Sequence, residues 1–142
     1  MAQTYATELT GVDSSPSSKV SGAVQGGRMR RFRATIEFDG QAAGDTIVLA
    51  DVPAGYVFAY GVTTASATAG ASATLAIGPA SSSGKYRAAA THTTTAPTLF
   101  GVAAATKASP LTAVERVLAT VAVAALPTSA DYMVVDLYFT AP

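Results

Sequence analysis

The sequence holds no cysteine, no tryptophan and a single histidine, His92. Without thiols there is no disulfide framework, no thiolate nucleophile and no cysteine-held zinc. One histidine cannot supply the several imidazoles that a cupin-type metal centre needs. Charge is also scarce. Charged residues make up 13% of the 142 and hydrophobic ones 49%, against about 25% charge in a typical soluble domain. So bare a surface suits a chain that other subunits partly cover. The longest apolar run, VLATVAVAAL, is half the length of a membrane-spanning helix, which takes about 20 residues. The leading MAQTYATELTG is polar, with neither the basic nor the apolar stretch of a secretory signal. The expectation is a protein made in the cytoplasm of its host cell, with no membrane partner.

The motifs of common chemistries are missing as well. There is no G-x-S-x-G elbow, no H-E-x-x-H, no P-loop and no G-x-G-x-x-G. His92 lies in THTTT, among hydroxyls that are everywhere in this chain, and reads as a loop histidine. Asp39 and Asp45 flank a glycine-containing turn. Two carboxylates fall short of the six or more oxygens that calcium takes, and turn aspartates usually bond the backbone. No catalytic residue, no cofactor site and no metal site is expected.

What is present is strand periodicity. Residues 1–27 are rich in serine and glycine and carry no sustained apolar period, so they read as an extended N-terminal arm that only a neighbouring subunit would order. Residues 28–142 read as one domain. In RFRATIEF, Phe32, Ala34, Ile36 and Phe38 alternate with Arg31, Arg33, Thr35 and Glu37, the period of a half-buried strand. TIVLADV follows. YVFAYGVTT would place Tyr56, Phe58, Tyr60 and Val62 on one side. ATLAIG puts Leu75 and Ile77 on one face. Strands are also expected at 85–89 and 99–103, with an irregular stretch around His92. ERVLATVAVAAL fits a helix by length, but Val117, Ala119, Val121 and Val123 recur at every second place and favour a strand. DYMVVDLYF alternates most clearly, with Met133, Val135, Leu137 and Phe139 inward and Tyr132 and Tyr138 outward. About eight short strands with no convincing amphipathic helix predict an all-β domain, a β-sandwich, jelly roll or barrel.

The charges that exist are unevenly placed. Arg28, Arg30, Arg31 and Arg33 fall within six residues. Up to Arg33 the chain holds five basic residues and two acidic ones; from there on it holds four and seven. A basic head and an acidic body suit subunits that meet head to body. The balanced total argues against nucleic acid, whose binders are basic overall. The aromatic neighbours of the arginines, Phe32 and Phe38, face the core and offer no base-stacking platform. An acidic protein surface is the better partner, because arginine forks pair with carboxylates at interfaces. Tyr132 and Tyr138 join the candidate interface, since tyrosine is enriched there. A solvated strand face remains the plain reading of the arginines.

The order GDTIVLADVPAGYVFAYGVTT, ASATLAIG, GKYRAAATHTTTAPTLFG, PLTA and DYMVVDLYF resembles small structural proteins of tailed bacteriophages, of the capsid decoration, cement or head-fibre kind. The resemblance covers roughly residues 28–140. It implies a jelly-roll-like domain on the outside of a phage head, clamping adjacent major capsid subunits. It also implies a homo-oligomer, a trimer by preference, at a lattice symmetry point, and no catalytic residues. The competing reading is a receptor- or carbohydrate-binding sandwich of a phage fibre or tail. Sugar sites favour exposed aromatics, tryptophan above all, and this chain has no tryptophan.

Overall fold

The alternation in RFRATIEF becomes β1, Arg28–Asp39. The computed structural model describes residues 4, 6, 9–11, 13–17, 19–107 and 109–142. After β1 come β2 (Thr46–Val52), β3 (Val57–Ala65), β4 (Thr74–Gly78), β5 (Arg87–Thr91), β6 (Thr98–Phe100), the short helix α1 (Ala103–Lys107), β7 (Glu115–Ala122) and β8 (Thr128–Ala141).

The pairing has a simple logic. β1 pairs with β8, β2 with β7, β3 with β6 and β4 with β5, all antiparallel. A chain doubled back on itself in this way forms one long hairpin. Further pairing of β3 with β8 and of β4 with β7 rolls that hairpin into two sheets. Their orders are β1-β8-β3-β6 and β2-β7-β4-β5, which is jelly-roll connectivity. The expected sandwich of about eight strands is therefore what forms.

The two inner faces make one core. Ile36, Phe38, Leu75, Ile77, Val117, Ala119, Val121, Met133, Val135, Leu137 and Phe139 are all buried in it. Phe139 sits at the hub of an aromatic cluster. Its ring lies edge-on to Phe32, Phe58 and Tyr86, with centroids 5.4–5.7 Å apart. Edge-to-face pairs of this kind add about 0.5–1.5 kcal/mol beyond their buried area.

Several local expectations are corrected. Tyr56, Phe58, Tyr60 and Val62 do not share a side. The β3–β8 register slips between Phe58 and Tyr60. The extra residue, Ala59, is a β-bulge that reverses the phase, so Phe58 is buried while Tyr60 is exposed. β7 stops at Ala122, and Val123 takes a positive φ of 69° and stands 76% exposed, off the strand's inner face. The strand expected at 85–89 lies at Arg87–Thr91, because Tyr86 turns into the core. The segment 99–103 divides into β6 and the start of α1. Gly61 makes β6 possible: the Phe100 ring lies over it where a Cβ would stand.

The end of the arm is also corrected. Ala23 is buried, and Thr140 Oγ1 donates to its carbonyl at 2.6 Å. The chain's own β8 holds this part, with no neighbour needed. Earlier in the arm, part of residues 1–18 lies outside the described residues.

Candidate interaction surface

β1 is an edge strand, paired on one side by β8 and free on the other. Charged side chains on an edge discourage unwanted strand pairing, which is one physical use for this arginine density. All four arginines lie inside β1. The pleat separates them into two pairs. Arg31 and Arg33 stand opposite Tyr138 and Asp136 on the outer face. Arg28 and Arg30 stand opposite Ala141 and Phe139, on the inward parity, yet both are exposed.

On the outer face of β1-β8-β3-β6 the rows run across the sheet. One row is Arg31, Tyr138 and Tyr60; the next is Arg33, Asp136, Val62 and Leu99. The rings of Tyr60 and Tyr138 stack at 4.7 Å with planes 19° apart. Leu99 at the far edge is 72% exposed, Tyr132 47% and Tyr60 39%. Four of the six residues expected at an interface, Arg31, Arg33, Tyr132 and Tyr138, thus share one face. Arg28 and Arg30 do not belong to it.

Arg33 grips Asp136 through two hydrogen bonds, Nε to Oδ1 and Nη2 to Oδ2, both 2.8 Å. The guanidinium holds the Asp136 carboxyl below the usual carboxylate range, opposed by burial and helped by the charge of Arg31. The pair neutralises an otherwise buried carboxylate and leaves the middle of the face almost uncharged. Tyr60 and Leu99 escape a reading of the sequence. The bulge that turns Tyr60 outward leaves no mark in the alternation, and β6 is too short for a period.

The other sheet shows less open chemistry on its outer face. Arg116 and Asp51 are paired there at 2.8 Å. Next to it Lys85 Nζ lies 2.6 Å from Glu115 Oε2, and Tyr86 donates its hydroxyl to the same carboxylate. Burial, with Glu115, pushes the Tyr86 phenol far above its ordinary value.

His92 is a loop residue, as expected, but its ring is buried at 3% exposure. It packs among Ile36, Leu75, Ile77, Met133 and Val135 in a space with no room for a water molecule. Its Nε2 has no hydrogen-bond partner among the described residues. Burial and the nearby Arg87 charge lower its pKa. Arg87 itself donates to the backbone carbonyls of Leu75, Ala90 and Thr91. Asp45, one of the two turn aspartates, accepts the Ala42 N–H at 2.8 Å, the backbone role expected of it.

No protein-family model matches the chain, and no curated protein does. Solved structures do. A chain of the cyanophage Pam1 capsid asymmetric unit is 18% identical, with a TM-score of 0.66 over 82% of this chain and 86% of that one. One from the capsid of Ralstonia phage GP4 is 18% identical, with a TM-score of 0.63 over 82% and 84%. One from an acidic stable capsid structure of Helicobacter pylori bacteriophage KHP30 is 13% identical, with a TM-score of 0.57 over 80% and 88%. At these identities the likeness is one of fold: this jelly roll is a fold found in chains of phage capsid structures.

Proposed function

We propose that this chain is a structural protein of a phage virion that binds the outside of the capsid and fastens the lattice, as a decoration or cement protein. It binds and does not turn over a substrate. Its main partner is the major capsid protein, and copies of the chain associate with one another, three around a lattice symmetry point. The outer face of β1-β8-β3-β6 is the docking face. The single observation that carries this is the make-up of that face. Arginines line one edge, a tyrosine stack fills the middle and an open leucine lies at the far edge, as in an interface with aromatic and arginine anchors. The capsid provenance of the three similar structures supports the same reading.

The test uses shells that lack the protein. Purified wild type added to them is expected to co-sediment to saturation. Changing Arg31→Ser with Leu99→Glu should weaken the apparent affinity tenfold or more, about 1.4 kcal/mol. Val48→Glu, on the exposed outer side of the other sheet, should leave it unchanged. Equal occupancy by all three proteins would remove this face from the contact, and no binding by wild type would end the decoration reading.

A further inference from the structure

Most charges left over after internal ion pairing gather at opposite ends of the molecule; Arg31, on the outer sheet face, and Arg87, which donates to backbone carbonyls of β4 and β5, stand elsewhere. Arg33, Lys85 and Arg116 are spent on Asp136, Glu115 and Asp51. Lys19, Arg28, Arg30 and Lys107 have no ion pair among the described residues. All four lie where β1 begins, β8 ends and β3 begins. Glu37, Asp39, Asp45 and Asp131 likewise have none, and all four lie where β1 ends and β8 begins. The twelve residues of β1 separate the two ends by about 36 Å at the usual rise of a strand.

Each end also has a shape. At the basic end a groove of about 440 Å³ lies between residues 19–24 on one side and Thr106, Lys107, Ser109 and Pro110 on the other. Val57, Phe58 and Ala59 form its floor, and Lys19 and Lys107 stand at its rim. At the acidic end the β1–β2 turn, residues 40–45, presents the small exposed side chains Ala42 and Ala43 between Asp39 and Asp45. A small apolar tip flanked by carboxylates is the complement of an apolar floor flanked by ammonium groups.

We propose that this groove takes the β1–β2 turn of a second copy of the chain. The two surfaces differ and lie at opposite ends, so the contact is heterologous, basic end to acidic end. Such contacts close into a ring or extend into a chain according to the rotation at each step. The groove is small, so a single contact is weak and salt-sensitive. Many copies held on one lattice would strengthen it by proximity. The inference rests on the self-association proposed above and names the surfaces that produce it.

Sedimentation velocity on the isolated protein tests it without any capsid. Wild type is expected to gain mass with concentration at low salt and to lose it at 0.5 M salt. The variant Lys19→Glu with Lys107→Glu should stay monomeric, as should Asp39→Lys with Ala43→Lys. Mixing the two variants should restore association, because each groove then meets a turn of opposite sign. Circular dichroism confirms that these surface variants fold. A wild type that stays monomeric at every concentration overturns the self-association itself. Association that persists in the charge-reversed variants, or a mixture that fails to recover it, overturns this groove-and-turn contact alone. Neither result bears on shell binding through the outer sheet face, which is read by co-sedimentation.

Discussion

At His92 burial decides the chemistry. The ring packs among aliphatic side chains with Arg87 beside it, and both disfavour the imidazolium. The folded-state pKa is thus held below the ordinary 6.5, and the unfolded chain takes up the proton first. Stability is full above about pH 6.5 and falls as the pH drops through that value towards the depressed one. Asp136 and Asp51, held low by Arg33 and Arg116, lose their contributions only as the pH falls below the ordinary carboxylate value of 3.8. Two acid limbs are therefore expected in denaturant titrations repeated across pH, the imidazole's beginning at higher pH than the carboxylates'. In His92→Leu the upper limb should vanish and the lower one remain. An upper limb that persists in this variant would mean that another group titrates there. The sequence, with threonines on either side of His92, shows nothing of its burial.

At the scale of elements, the strands with a regular period were legible and the interruptions were not. β1 and β8 alternate over their cores, so their buried sets, Ile36 and Phe38 with Met133 to Phe139, followed from period two. β3 misleads because one inserted residue, Ala59, reverses the inside and outside of everything after it. β5 and β6 carry too few residues for a period to show. The interface was legible in part for the same reason. Arg31, Arg33, Tyr132 and Tyr138 sit on regular strands, whereas Tyr60 and Leu99 do not. Only the end of the leading segment departs from its expectation, because one small residue, Ala23, anchors it where composition suggested a loose tail. That anchor gives a prediction. A Cβ at Gly27 would stand 2.7 Å from the Ala23 carbonyl oxygen and 3.0 Å from that of Ala141. Both are backbone atoms and cannot swing aside. Gly27→Ala should cost about 1–3 kcal/mol and lift residues 22–27 from the end of β8. Hydrogen exchange should then quicken at the amides of Val24 and Gln25, which donate to the Ser21 carbonyl, while the amides of β7 keep their protection. Uniform quickening across the sandwich would instead place the strain in the core.

The whole molecule combines a closely packed apolar core, with one unpartnered nitrogen at His92, with a surface that has few charges to spend. Nine cations against nine anions leave no net charge, and several are used internally. What remains is an open sheet face and two oppositely charged ends, a division of labour suited to a part in a larger assembly. In the arrangement proposed above, the outer sheet face would meet the shell and the ends would meet other copies. A protein that binds the assembled shell and not its separated subunits stabilises the shell by mass action. At free protein 100 times the dissociation constant, each site should gain about 2.7 kcal/mol. The melting temperature of the shell should therefore rise with added protein even after the sites are nearly full, by a logarithmic increment at each tenfold step. Calorimetry on shells titrated with wild type and with Arg31→Ser/Leu99→Glu measures this. The variant should need at least ten times more protein for the same rise. A shell whose melting temperature ignores saturating wild-type protein would show that the chain rides on the particle without fastening it.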